Sequence, residues 1–73
     1  MNSNINESHR IIDSRNAKSL ARRFLERHHT LIIFKNAILE GKTWNVIMDV
    51  GYKDENIIHI KIDAETGKIL SHS

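Results

Sequence analysis

The sequence predicts an α+β domain, one N-terminal amphipathic helix packed on a three- to four-stranded antiparallel meander sheet. Three observations carry the prediction. Apolar residues recur at Ala17, Leu20, Ala21, Phe24 and Leu25, the stripe of a helix with one buried face. After Thr30 the period becomes two, most cleanly in Trp44, Val46, Met48 and Val50 and in Ile58, Ile60 and Ile62. The segment Asp63-Ala64-Glu65-Thr66-Gly67 then reads as a tight turn into one last short strand.

The helix is predicted over 14–28, about 22 Å long at 1.5 Å per residue. Asp13 or Ser14 offers its N-cap, a side-chain oxygen for an unpaired amide of the first turn. Arg23, Arg27, His28 and His29 crowd its C-terminal end, where positive charge suits the helix dipole. Residues 1–12 are mostly polar and read as a flexible tail, leaving 13–73 as a single domain.

The first strand is expected within Leu31 to Glu40, with Glu40-Gly41-Lys42 as the turn that follows. A two-residue hairpin there sets Leu39 opposite Trp44 and Ala37 opposite Val46, all on the core side. Continued unbroken, that parity turns Lys35 inward and Phe34 outward. A β-bulge near Lys35-Asn36 reverses it and returns Phe34 and Ile32 to the core. Trp44 to Val50 forms the second strand, Gly51 to Asn56 a polar connection, and Ile58 to Asp63 the third. Short connections make these strands sequential antiparallel neighbours, with a fourth over Lys68 to Ser71. In the closing turn Asp63 can accept from backbone amides two or three residues on, or from the Thr66 hydroxyl. Gly67 supplies a positive φ.

The order of these pieces resembles the PepSY domain. The resemblance runs from the helix through Ala37-x-Leu39-Glu40 and a Gly turn to Trp44-x-Val46. It ends on Ile62-Asp63-Ala64-x-Thr66-Gly67-Lys68-Ile69-Leu70 and covers roughly residues 13–71. It implies a helix on an antiparallel sheet and a non-catalytic module. Such modules are found in propeptides of secreted metallopeptidases and in envelope proteins, where an inhibitory or protein-binding role is proposed. The matching residues are mostly structural, and no functional site transfers with them.

Composition narrows the chemistry. The chain has 73 residues, no cysteine and a formal charge of +2. It has room for one core and no disulfide to support it. Its polar N-terminus lacks an apolar stretch of signal-peptide length and no run approaches a membrane span, so a cytoplasmic chain without membrane contact is expected. A secreted chain trimmed of its signal would read the same. No cofactor, metal or catalytic residue is assigned. His28 and His29 are adjacent on a helix and diverge by about 100°, while His9, His59 and His72 are scattered, so no ligand set forms. Ser, His and Asp occur without a nucleophile motif, and the chain reads as no enzyme.

Two surfaces remain. On the sheet face away from the helix, Ile38, Ile47 and Ile57 with His59 form a candidate interface for a protein partner or a homodimer. On the helix, Arg15, Lys18, Arg22 and Arg23 form a candidate polyanion-binding face. The expected function is a protein-binding or regulatory module that self-associates through the open sheet. The alternative is a small basic nucleic-acid-binding protein using the helix face.

Overall fold

A computed structural model describes residues 11–73, and residues 1–10 of the tail expected over 1–12 lie outside the described residues. Helix α1 spans Ser14–Leu25 and is followed by strands β1 (Ile33–Glu40), β2 (Thr43–Asp49), β3 (Ile57–Asp63) and β4 (Ile69–His72). The strands lie in chain order β1-β2-β3-β4 in one antiparallel sheet, a meander. Helix α1 packs across β1, β2 and β3 on one face of this sheet, so the α+β class and the helix-on-sheet arrangement hold.

Asp13 is the N-cap, its Oδ1 accepting from the Asn16 amide at 2.8 Å. The helix ends at Leu25, one turn short of the expected 28, because the Leu25 carbonyl accepts from both His28 and His29 at 3.0 Å. That double acceptance closes the last turn and releases the chain toward β1. The stripe lands inward as expected, with Ala17, Ala21 and Leu25 buried against Trp44, Val46, Met48, Ile60 and Ile62. Leu20 and Phe24 flank this core on the helix side.

The first hairpin has two loop residues, Gly41 and Lys42, between the paired Glu40 and Thr43. Gly41 sits at φ +65°. Ala37 faces Val46, Leu39 faces Trp44, and the register slips between Phe34 and Asn36. The bulge therefore falls at Lys35, where the parity conflict required it, and Ile32 and Phe34 return to the core. One part of that expectation fails. Leu39 shares the face of Trp44, yet on the edge strand beside the turn it is 42% exposed and outside the core.

Three backbone segments are tied together at the end of the sheet where the chain enters α1. The Ala64 amide donates to the Lys42 carbonyl, the Ile12 amide to the Ala64 carbonyl, and the Trp44 indole to the Ile12 carbonyl, each at 2.8 Å. Ile12, assigned to the tail from the sequence, is thus anchored and packs on the core. This relay explains why the closing turn carries a fully buried Ala64 and why a tryptophan stands at 44.

Candidate functional site

The outer face of the sheet is built by the residues that alternate with the core. Along β2 these are Thr43, Asn45, Ile47 and Asp49, all half-buried, while Trp44, Val46 and Met48 point under the helix. The register places Asn36 and His59 on either side of Ile47, and Ile33 and Ile57 on either side of Asp49. Ile38 and Lys61 flank Asn45. Ile47 is therefore the centre of an apolar cluster, with Ile33, Ile38 and Ile57 at its diagonal positions. Ile33 is 47% exposed and Ile38 40% exposed. Beside them the Asn45 Oδ1 is shielded from solvent and has no hydrogen-bond partner among the described residues.

The expected interface residues Ile38, Ile47, Ile57 and His59 thus do share one face. Ile33 belongs with them and was not singled out. The signal existed, since a bulge at Lys35 that turns Phe34 and Ile32 inward necessarily turns Ile33 outward.

The helix face is divided. Lys18 lies over the Phe34 ring, its Nζ 4.6 Å from the centroid, a cation–π contact that leans it toward β1. Arg22 leans the same way and donates to the Ile32 carbonyl at 3.4 Å. Arg23 turns toward β4, beside Leu20, Phe24, Gly67 and Ile69. Arg22 and Arg23 share a shallow hollow with Ser19 and Glu26, so a carboxylate stands among the cations. Arg15 is exposed near the helix start. The four residues of the candidate polyanion face therefore do not act as one free row.

The structural-turn residues sit as expected. Asp63 Oδ1 accepts from the Glu65 amide at 2.8 Å and the Thr66 amide at 3.1 Å. Thr66 Oγ1 accepts from the Lys68 amide at 3.2 Å, a different partner from the Asp63 carboxylate considered for it. Gly67 lies at φ +80° and its amide donates to the Asp63 carbonyl.

A second aspartate organises the β2–β3 loop. Asp49 Oδ1 accepts from the Gly51 amide at 2.9 Å and the Asn56 amide at 3.0 Å. These two donors hold its carboxyl below the ordinary value of 3.8. Lys35, on the neighbouring strand, adds a smaller effect in the same direction.

The histidines behave in a way that sequence order hides. His28, His29 and His72 line one hollow with Phe24, Leu25, Arg27 and Ile58. His72 packs on Phe24 with ring centroids 4.9 Å apart. Among the described residues no group of His, Cys, Asp and Glu converges to hold a metal ion. No helix among them is long and apolar enough to cross a membrane. Comparison of the chain with protein-family models, curated proteins and solved structures found no match.

Proposed function

We propose that the chain is a non-catalytic protein-binding or regulatory module of PepSY-like type that self-associates through the outer face of its sheet. The observation that carries this reading is the isoleucine cluster centred on Ile47 on a face that the helix does not cover. A chain of this size buries only about 60% of the surface that its unfolded form exposes. Covering the second face of the sheet is the most direct way to add burial. Each isoleucine taken fully from water contributes roughly 1.5–3 kcal/mol, and four stand together here. The Asn45 Oδ1, shielded and without a partner among the described residues, supports the same reading, because a covering chain would supply its missing donor.

Sedimentation equilibrium near physiological salt tests it. The expected result is a concentration-dependent dimer that Ile47→Glu reduces to a monomer while the far-ultraviolet spectrum is kept. A strictly monomeric mass for the unaltered chain at high concentration overturns the self-association.

A further inference from the structure

The two edges of the sheet are treated differently. At β1 the edge is blunted. A bulge interrupts it at Lys35, whose ammonium pairs with Glu55 at 3.8 Å. The Ala37 amide, on a pair that the two-residue hairpin leaves unbonded to β2, is taken at 2.9 Å by the Asn36 side chain. Strand β4 is short and carries a bulge of its own at Leu70, but past that bulge no side chain among the described residues bonds to its outward backbone groups. His59 and Ser73 exchange both backbone hydrogen bonds, at 2.8 and 3.1 Å. By the alternation of an antiparallel ladder, the N–H and C=O of His72 then point away from β3, to the free edge.

Beside that edge the helix leaves a groove. It holds two hollows, one of about 170 Å³ lined by Leu20, Phe24, Gly67 and Ile69 and one of about 150 Å³ lined by Phe24, Leu25, Ile58 and His72. Arg23 and Arg27 stand at the first, and Arg27, His28 and His29 at the second. None of the described residues lining either hollow is acidic, and neither arginine is ion-paired among the described residues. Ile69 and His72, which border the two hollows, are three residues apart on β4 but pair with Ile62 and Ile60, two apart on β3, because the bulge at Leu70 takes up the extra residue. An added strand would set its own residues i and i+2, about 7 Å apart, over the same two hollows.

We propose that an extended acidic segment of a partner protein adds to β4 as a fifth, antiparallel strand. Two apolar side chains at i and i+2 fill the hollows on either side of Phe24. Acidic side chains outside them, on the same face, meet Arg23 and Arg27. Main-chain bonds to His72 supply the docking and the hollows supply the selectivity. This surface is separate from the outer sheet face, so either proposal can fail without the other.

The probe is the heptapeptide Glu-Thr-Leu-Thr-Leu-Thr-Glu, blocked at both ends, labelled with fluorescein and titrated with the whole chain. Saturable binding is expected. It should be lost when both leucines are replaced by serine, and weakened about tenfold by Arg27→Glu. Amide exchange should slow at His72 and stay unchanged at Ala37. His72→Pro removes the edge donor and should abolish binding. Arg27 is exposed, so its variant reads the groove even if proline at 72 disturbs β4. Absence of saturable binding overturns the proposal. Equal binding of the leucine-free peptide, or by Arg27→Glu, does so too. A dimer of the chain that His72→Pro dissociates would place a second copy on this edge, and would overturn it as well.

Discussion

The hairpins on either side of β3 are both organised by an aspartate at a strand end, and they use glycine for opposite reasons. In the β3–β4 turn, Asp63 gathers the Glu65 and Thr66 amides within three residues. Gly67 is there for its backbone angle, φ +80°. A side chain at 67 would have space, the nearest atom being Leu20 Cδ1 at 3.4 Å. In the β2–β3 loop, Asp49 gathers Gly51 and Asn56, the second of them seven residues away. Gly51 has no unusual angle, but a Cβ there would lie 1.7 Å from the Asp54 carbonyl oxygen. One glycine answers to a torsion, the other to the approach of a distant piece of backbone. A torsional requirement is local and leaves a local motif. An approach depends on how the whole loop closes.

Gly51→Ala is the strongest way to break that comparison. The clash is with backbone on both sides, the Asn56 amide nitrogen standing 2.8 Å from the same Cβ. Relief requires opening the loop, with loss of the Gly51 and Asn56 bonds to Asp49 and of the Val50–Asn56 backbone bond. A loss of about 3 kcal/mol is expected, which for a domain of this size lowers the melting temperature by roughly 15 °C. A calorimetric scan that matches the unaltered chain would show that the loop closes in some other way.

Gly67→Ala is the second, smaller break. The cost here is the strain of an L-residue at positive φ, about 1 kcal/mol. Gly41→Ala, also at positive φ and with nothing near its Cβ among the described residues, is the matched control and should cost a similar amount. Urea titration of the three alanine variants should order them with Gly51 first and the other two together. If Gly67→Ala proved as damaging as Gly51→Ala, the torsional account of the closing turn would be wrong.

The same division between local and non-local cause explains what could be read in advance. The stripe of α1, the alternation in β2 and β3, and the closing turn each repeat within a few residues, and each was legible. Even the bulge at Lys35 was, because two local facts collided there, the parity set by Gly41 and the apolar character of Phe34. The exposure of Leu39 was not, because alternation assigns a face and cannot say how far the helix covers it. Nor was the meeting of His28, His29 and His72, which requires the end of α1 to reach the end of β4. The open sheet face was largely legible, as a period-two pattern exposes it. The groove beside β4 was hidden, since it is made by what α1 leaves uncovered.

The smallest expected effect is read at the β2–β3 loop by pH. The Asp49 carboxyl is held below 3.8 by the Asn56 and Gly51 amides, while burial opposes this weakly. A carboxyl lowered in the folded state adds stability above its unfolded value, and that contribution disappears as pH falls through the folded value. The acid limb should therefore reach the β2–β3 loop directly. In an NMR titration the Gly51 and Asn56 amide resonances should move together, with a midpoint below 3.8. The Ala37 amide is the internal reference, because it donates to the uncharged side-chain oxygen of Asn36. Asp49→Asn keeps an oxygen acceptor and removes the charge, so its Gly51 and Asn56 resonances should lose that step while the fold persists. A step that survives in Asp49→Asn, or a midpoint above 3.8 in the unaltered chain, would take Asp49 out of its role as the organiser of the loop.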